Sequence, residues 1–252
     1  MLGMTDVNAR SLVVSVVSHG HGEDIQRLLE QLAHQSAAYI ARVVITHNKS
    51  EPALREPEEG WPFVVQMLHN QIPQGFGTNH NKALKDAVEP FICVLNPDVE
   101  LLEGQDPFAA LLQALAQPHA GCAYPQQVNA EGQVQDSERE LLSPAALWRR
   151  RLLGRAEQRI DWVNAACIVL PTPAWRAVQG FDEGYFMYCE DVDLCLRLRL
   201  QGLTLIKAPA RVIHAGQRNS SRSLRHLVWH VRSLLRLWSS PIYRRVREQH
   251  IK

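Results

Sequence analysis

Short runs of Val, Ile and Leu alternate with helix-patterned segments along the first part of the chain. Four of these runs predict strands, at 12–17, 42–46, 63–68 and 91–95. Helical patterning marks residues 23–35 and 79–88. Strands that are apolar at nearly every position are typical of a parallel sheet with helices on both faces. The sequence therefore predicts an α/β fold built on a mostly parallel sheet.

The second half of the chain carries shorter and less regular elements. The predicted elements are helices at 108–116 and 190–201 and strands at 162–170, 203–207 and 210–214. No clear linker interrupts the chain before residue 217. We therefore predict one domain over residues 1–216 and a helical segment over residues 217–252.

The composition is that of an ordinary globular protein. With 252 residues, of which 46% are hydrophobic and 21% charged, the chain is not disordered, collagen-like or a disulfide scaffold. Its five cysteines are odd in number and form no CxxC pair, which favours a reducing compartment. The first residues do not resemble a secretory signal, and no apolar run is long enough to cross a bilayer. We expect a cytoplasmic protein whose contact with a membrane is peripheral.

Charge is distributed unevenly along the chain. Residues 217–252 contain nine Lys and Arg and one acid, a net charge of +8, whereas residues 1–216 carry −7. In the basic segment, apolar residues recur at spacings of three and four and form one helical face. They are Leu224, Leu227, Val228, Val231, Leu234, Leu235 and Trp238. This helix either packs on the domain or lies on an anionic membrane surface, where each Lys or Arg contributes about 1 kcal/mol.

Polar clusters follow three of the predicted strands. They are Ser18-His19-Gly20, His47-Asn48-Lys49 and Asn96-Pro97-Asp98. Because open α/β sheets bind ligands at the carboxyl ends of their strands, three clusters at equivalent ends favour one shared site over three solvated loops. Asp98, anchored by its strand, suits a hard divalent cation such as Mg²⁺ that is also held by substrate phosphates.

A glycine-rich stretch opens the predicted helix at 79–88. It contains Gly75, Gly77, Asn79 and Lys82, and it matches neither a Walker A motif nor a dinucleotide-binding motif. Glycines before a helix allow a phosphate to approach backbone N–H groups, and Lys82 would add charge. A simple turn with a helix cap explains the same residues equally well.

The segment 181–193 packs five acids and four aromatics into thirteen positions. Glu190, Asp191 and Asp193 start a helix, where carboxylates gain from the helix dipole. Three acids beside an aromatic cluster exceed what capping needs, and one of them can serve as a general base for an acceptor hydroxyl. His214 ends a predicted strand; such a histidine is more often structural, but here it is a candidate metal or phosphate contact.

These segments, in this order, resemble the inverting family 2 glycosyltransferases, particularly the rhamnosyltransferases that build bacterial O-antigen on a lipid carrier. The resemblance runs from about Leu12 to Trp238 and is most specific over 181–197, FDEGYFMYCEDVDLCLR. It implies a GT-A-like nucleotide-sugar-binding fold in residues 1–216 and a divalent metal, Mg²⁺ or Mn²⁺. The sequence leaves the choice of metal and the oligomeric state open.

The resemblance also implies roles for individual residues. Asp191 takes the place of the catalytic base, and Asp98 and His214 take the places of contacts to the metal and the donor diphosphate. The acceptor-side candidates are Tyr188, Glu190 and Asp193. The donor-binding candidates are Ser18, His19, Gly20, His47, Asn48, Gly75, Gly77, Asn79, Lys82 and Asn96. One position departs from the family pattern: His47 stands where an Asp usually helps to read the pyrimidine.

The implied reaction is transfer of L-rhamnose from dTDP-L-rhamnose to N-acetylglucosamine on diphospho-undecaprenol, at the inner face of the cytoplasmic membrane. A family member using another donor, such as a UDP-hexose, is the alternative within enzymes. A nucleotide-sugar-binding protein without turnover is the alternative from another class, and the acids at 98 and 191 argue against it. Nucleic acid is not expected as a partner, because the acidic body would repel a phosphate backbone.

Overall fold

An eight-stranded sheet forms the centre of the molecule. The computed structural model describes residues 10–143, 159–214 and 224–251. The strands of this sheet are β1 (Leu12–Ser18), β2 (Ile40–His47), β3 (Val64–His69), β4 (Phe91–Leu95), β5 (Val99–Leu101), β6 (Ala120–Val128), β9 (Cys167–Pro171) and β10 (Thr204–His214). Two further strands, β7 (Glu138–Arg139) and β8 (Trp162–Val163), form a small separate sheet.

The strand order across the large sheet is β3-β2-β1-β4-β9-β6-β10-β5. The pairs that join β1, β2, β3 and β4 are parallel, as is the pair of β6 and β10. Strand β9 runs antiparallel to both of its neighbours, and β5 runs antiparallel to β10. The predicted α/β fold with a mostly parallel sheet is therefore confirmed.

Helices cover both faces of the sheet. They are α1 (Gly22–Gln35), α2 (Phe76–Leu84), α3 (Pro107–Ala114), α4 (Thr172–Ala177), α5 (Glu190–Leu200), α6 (Leu224–Ser239) and α7 (Pro241–Ile251). One apolar core lies between the sheet and α1 and α3, and a second lies between the sheet and α2, α4 and α5. A smaller cluster joins α5 to α6 and α7. All five cysteines are buried and unpaired, three of them in strands of the large sheet and two at or within α5.

Three element boundaries differ from the prediction for identifiable reasons. The apolar run at 162–170 is broken at 164–166, and its two parts belong to different sheets. Residues 204–214 form one strand whose pairing shifts register between Lys207 and Arg211, so a bulge replaces the predicted break. The helix predicted at 79–88 begins earlier, at Phe76, because Gly75 is its N-cap.

The C-terminal helix α6 packs with a different face from the apolar one. Ser233 and Leu237 are buried, whereas most of the apolar face points to solvent. The exposed fractions are 83% for Leu224, 55% for Leu227, 53% for Val228, 47% for Val231 and 59% for Leu235. Of the predicted face, only Leu234 and Trp238 pack partly against the small cluster. We call the five exposed residues the apolar stripe.

The boundary predicted at residue 217 falls within 215–223, outside the described residues. No helix among the residues that the structure describes is long and apolar enough to cross a membrane.

Candidate active site

The carboxyl ends of the parallel strands meet at one edge of the sheet. Ser18 at the end of β1 pairs in register with His47 at the end of β2. Strand β4 runs parallel to β1 on its other side, so the Asn96-Pro97-Asp98 turn leaves the sheet at the same edge. His214 ends β10 and pairs with Val99, directly after Asp98. The structure thus brings the strand-end clusters and His214 together.

Asp98 and His214 form the centre of this edge. The His214 Nε2 atom lies 3.5 Å from Asp98 Oδ1, and both side chains are partly exposed. Burial would raise the pKa of the Asp98 carboxyl, but the hydrogen bond and charge of His214 outweigh burial and hold the pKa below its usual value. Asp98 is therefore an anion at neutral pH, as a metal ligand must be.

Two amide side chains behind His214 fix its orientation, and neither could be recognised from the sequence. His214 Nδ1 lies 3.0 Å from Gln127 Oε1, which can only accept a hydrogen bond, so the proton is on Nδ1. Gln127 in turn exchanges hydrogen bonds with Asn164 through both of its amide atoms. The other ring nitrogen, Nε2, faces Asp98, so the two groups are placed to share one metal ion, and Gln127 holds the opposite ring nitrogen as is typical of a metal-ligating histidine.

The chain supplies only part of a metal coordination sphere. Within residues 10–143, 159–214 and 224–251, no three His, Cys, Asp or Glu side chains are grouped to hold a metal ion. Asn96 Oδ1, two residues before Asp98, is buried without a hydrogen-bond partner and is available as a further oxygen ligand. Two or three protein ligands with open positions fit a Mg²⁺ or Mn²⁺ ion that is otherwise held by donor phosphates.

A carboxylate that the sequence did not single out lies at the ends of β1 and β2. The Glu51 side chain is 4% exposed, and its Oε2 atom lies 3.8 Å from His47 Nδ1. Glu51 accepts hydrogen bonds from Ser18 Oγ at 2.7 Å and from the Gly20 N–H at 2.8 Å. Glu51 therefore places an acid beside the position where the family's usual Asp is replaced by His47. Burial lowers the pKa of His47, although Glu51 opposes this effect.

Asn48 connects β2 to the glycine-rich loop. Its Oδ1 accepts from the Gln74 N–H at 2.7 Å and from Asn70 Nδ2 at 2.9 Å. Asn70 also donates to Asn79 Oδ1 at 2.6 Å and accepts from Lys82 Nζ at 3.1 Å. These contacts place Asn48, Asn79 and Lys82 in one network around Asn70, a residue that no sequence motif indicates.

His19 lies at the open end of β1, next to Asn48. Its Nδ1 atom is 3.2 Å from Asn48 Nδ2. Burial lowers the pKa of His19, and the nearby cations Lys49 and Arg225 lower it further. A neutral imidazole here is a flat, partly apolar surface, suited to contact a base or a ribose.

The two glycines before α2 are needed for close packing. A Cβ at Gly75 would lie 2.9 Å from the carbonyl oxygen of Phe186, and a Cβ at Gly77 would lie 2.6 Å from the Phe181 Cβ. The Phe76 N–H, which has no acceptor within α2, donates to the Phe186 carbonyl at 2.9 Å. These glycines therefore allow the glycine-rich loop to pack against residues 181–193, which we call the acid-rich segment. Their role in donor binding stays a prediction.

Asp191 is the most accessible of the three acids that start α5. Glu190 is 6% exposed and Asp193 2% exposed, whereas Asp191 is partly exposed. Burial raises the pKa of Asp191 to about 6, although backbone N–H groups, including that of Ala165, oppose the rise. Burial and the neighbouring Asp191 charge raise the pKa of Glu190 more strongly. With a pKa of about 6, Asp191 can thus exchange a proton near neutral pH.

Asp193 and Tyr188 are committed to other contacts. Asp193 pairs with Arg197 at 2.6 Å, and Arg197 also binds the Gly180 carbonyl, which anchors the start of the acid-rich segment. The Tyr188 hydroxyl lies 2.8 Å from Nδ1 of His226 on α6. Tyr188 and Cys189 both have positive φ values, 73° and 65°, an unfavourable backbone conformation directly before the acids.

Comparison with known proteins agrees with this geometry. The family model described as Glycosyl transferase family 2 matches residues 13–172. Rhamnosyltransferase WbbL of Escherichia coli (strain K12) is 28% identical over 246 aligned residues, covering 88% of this chain and 90% of that protein. The N-acetylglucosaminyl-diphospho-decaprenol L-rhamnosyltransferase of Mycobacterium tuberculosis (strain ATCC 25618 / H37Rv) is 29% identical over 262 residues, covering 91% and 83%.

Two solved structures share the fold. Mannosyltransferase PcManGT from Pyrobaculum calidifontis, in complex with GDP-Man and Mn²⁺, aligns with a TM-score of 0.63 and 17% identity, covering 90% of this chain and 65% of that one. GalNAc-T7 with UDP, GalNAc and Mn²⁺ aligns with a TM-score of 0.64 and 16% identity, covering 83% and 44%. The chain thus spans less than two thirds of either solved chain. With the family model matching well over half of its residues, the chain belongs to glycosyl transferase family 2.

Proposed function

We propose that this protein is an inverting glycosyltransferase that moves L-rhamnose from dTDP-L-rhamnose to N-acetylglucosamine on undecaprenyl diphosphate. The observation that carries the proposal is Asp191, a partly exposed carboxylate with a pKa of about 6 that is hydrogen-bonded to the backbone of Ala165. The carbonyl of the next residue, Ala166, accepts from the Asn96 N–H at 2.7 Å, which ties this base to the turn that carries Asp98. The two curated relatives reported above, which match 88% and 91% of the chain, are named rhamnosyltransferases, and the mycobacterial one is named for an N-acetylglucosaminyl-diphospho-lipid.

In this reaction Asp191 acts as the general base. Its carboxylate removes the proton from the acceptor hydroxyl as the hydroxyl oxygen attacks the anomeric carbon of the donor sugar. The bond from that carbon to the donor diphosphate breaks on the opposite face, so the configuration inverts and dTDP leaves. The proton remains on Asp191 until solvent removes it, which a pKa near neutrality allows.

Asp98 and His214 would hold the divalent ion, with Asn96 Oδ1 as a further oxygen. When bound, a Mg²⁺ or Mn²⁺ ion would neutralise the charge that develops on the departing diphosphate. Gln127 contributes by keeping the His214 proton on Nδ1.

The nucleoside is proposed to lie at the ends of β1 and β2. There, His19 offers a flat surface and Glu51 offers a carboxylate next to His47. A carboxylate can accept the imide N–H of thymine, which makes the departure at His47 compatible with a thymidine nucleotide. Uracil carries the same imide, so a UDP-hexose donor is the alternative that the experiment must separate.

Peripheral binding to an anionic membrane surface is proposed for α6. The apolar stripe is exposed along one side of the helix, and Arg225 and Arg232 lie beside it. An amphipathic helix of this kind can rest at the boundary of headgroups and acyl chains. Such contact would hold the active site where a lipid-linked acceptor lies.

The test is a transfer assay with the purified full chain, Mg²⁺ or Mn²⁺, and an N-acetylglucosamine-diphospho-lipid acceptor in detergent. We expect addition of one deoxyhexose by mass spectrometry with dTDP-L-rhamnose, and little product with UDP-glucose or GDP-mannose. Transfer from a UDP-hexose alone would replace the donor assignment. Nucleotide-sugar binding without product from any donor would identify a non-catalytic binding protein instead.

A further inference from the structure

Helix α6 and the acid-rich segment enclose a cavity outside the site described above. The cavity has a volume of about 380 Å³ and is lined by Gly184, Phe186, Trp229, Arg232, Ser233 and Arg236. Its walls are fastened together, because Ser233 Oγ donates to the Met187 carbonyl at 2.8 Å and the rings of Phe186 and Trp229 lie 4.9 Å apart. The cavity is therefore built between two elements that hold each other in place.

The two arginines of the cavity differ in their state. Arg236 binds both carboxylate oxygens of Asp182, at 2.9 and 2.8 Å, and lies over the Tyr185 ring, so its charge is already compensated. Arg232 is exposed and has no hydrogen-bond or ion-pair partner among the residues that the structure describes. An uncompensated guanidinium in a cavity fits an oxyanion with several oxygens.

The cavity lies between the donor side and the apolar stripe. Arg225 is stacked 4.7 Å from the Trp229 ring, and its charge reaches His19 at the end of β1. On the other side, Val228 and Leu235 are four residues before and three residues after Arg232, so they are its neighbours on the helix surface. A ligand bound at Arg232 therefore has the nucleotide site on one side and exposed apolar side chains on the other.

We propose that this cavity binds the diphosphate of a prenyl-diphosphate acceptor, with Arg232 as its principal contact and Arg225 beside it. The prenyl chain leaves the cavity along Val228 and Leu235, and the sugar extends toward Asp191. This inference rests on the proposed function and deepens it, because it assigns the acceptor diphosphate to a site separate from that of the donor.

The test uses the full chain with its donor site filled by saturating dTDP and Mg²⁺. Geranyl diphosphate, kept below its micelle-forming concentration, is then titrated by calorimetry. We expect saturable binding at one site, weakened about tenfold or more by Arg232→Gln, since a charge-assisted hydrogen bond is lost. The matched control is Arg244→Gln on α7, which replaces an exposed arginine that does not line the cavity. This variant should bind geranyl diphosphate with the same affinity as the unmodified chain.

Two further arms identify what is bound. Geraniol and inorganic diphosphate should each bind more weakly than geranyl diphosphate, because each lacks one half of the proposed contact. Because no membrane is present, binding of geranyl diphosphate separates a built site from a lipid surface. Equal affinity in Arg232→Gln and the unmodified chain, or loss of binding whenever dTDP is present, would overturn the proposal.

The transfer assay provides an independent readout. Arg232→Gln should raise KM for the lipid-linked acceptor about tenfold and leave KM for the donor unchanged. If the unmodified chain transfers no sugar to a lipid-linked acceptor, the proposed function fails, while the calorimetric arm still decides whether the cavity binds a prenyl diphosphate. If transfer proceeds and KM for the acceptor does not change, the function stands and the cavity assignment is wrong.

Discussion

Asp191 shows how one carboxylate is selected from three. Glu190 and Asp193 are more deeply buried, and Asp193 is held by Arg197. Burial raises the pKa of Asp191 to about 6, so its ionised form is destabilised by the fold. The sign of the linkage follows: the folded protein binds this proton more tightly than the unfolded chain does, so stability is lost as pH rises toward and through the folded pKa. Basicity at this residue is therefore gained at the expense of stability.

Asp191→Asn should separate these two effects. The base is removed, so turnover should fall by at least about 10²-fold. The uncharged amide does not carry the destabilised charge, so the melting temperature at pH 7 should equal or exceed that of the unmodified chain. In the unmodified enzyme, kcat/KM should decrease as pH falls below about 6, because Asp191 becomes protonated. The measurements are steady-state turnover, its pH profile and thermal unfolding.

The control is Asp193→Asn, which should lower the melting temperature because Arg197 loses its partner. Near-normal turnover in Asp191→Asn would show that Asp191 is not the base, and Glu190 would then be the next residue to test.

Residues that act through a short sequence motif could be predicted from the sequence, whereas those that depend on distant contacts could not. Asp98, Asp191 and His214 were identified from their places at the ends of strands and the start of a helix. Gln127 and Asn164 were missed, because neither amide is unusual until β6 and the turn before β9 bring them behind His214. Glu51 was not singled out either, because only the folded chain shows that its side chain turns back onto Ser18.

At the level of elements, α6 presents two faces with different tasks. His226, Trp229 and Ser233 contact the acid-rich segment, while the apolar stripe faces solvent. The 3.6-residue periodicity predicted the helix and its apolar face correctly. It did not predict which face packs, because the partners of that face lie far away in the sequence: aromatic and polar groups of residues 181–193, and the apolar cluster with α5 and α7 that buries Leu237.

Val231→Glu should weaken binding to vesicles that contain anionic lipid. Val231 lies in the middle of the apolar stripe and is 47% exposed, so the substitution leaves the packed face of α6 unchanged. A carboxylate in the stripe opposes insertion and is repelled by anionic lipid, and we expect a partition coefficient at least about tenfold lower. Co-sedimentation of the full chain with liposomes, with and without anionic lipid, measures this.

The matched control is Val88→Glu, which adds the same charge at a residue that is 86% exposed and lies between α2 and β4. Its sedimentation should match that of the unmodified chain. If both variants and the unmodified chain sediment alike, α6 does not mediate membrane binding.

At the scale of the whole molecule, the proposed metal site joins two parts of the sheet. Asp98 follows the parallel strands β1 to β4, whereas His214 ends β10, and the antiparallel strand β9 and β6 lie between β4 and β10. The sequence predicted the meeting of the parallel strand ends from their alternation with helices. It could not predict that β9 reverses direction, because antiparallel pairing within an apolar run has no local signature.

Donor nucleotide and metal should stabilise the molecule together more than either does alone. In the proposed site, Asp98, His214 and Asn96 are the ligands among the described residues, so the metal needs the donor phosphates to complete its coordination. In thermal unfolding, the upward shift with dTDP and Mn²⁺ together should exceed the sum of the separate shifts, because tighter binding to the native state raises stability. His214→Ala should reduce this excess.

Chelation provides the corresponding activity measurement. EDTA should abolish sugar transfer, and Mg²⁺ or Mn²⁺ should restore it. Full activity in EDTA would contradict metal assistance and would leave the departing diphosphate to be stabilised by protein cations such as Lys82.

The close contact at Gly75 and Gly77 also constrains how enzymes of this design can diverge. Since a single added carbon at either glycine would collide with Phe186 or Phe181, the glycine-rich loop and the acid-rich segment cannot be altered independently at these positions. The exposed Arg232 on α6 meets no such restriction. In the proposed arrangement, acceptor preference can therefore change through Arg232. The glycine-rich loop and the segment that carries Asp191 can change only if positions 75 and 77 stay glycine.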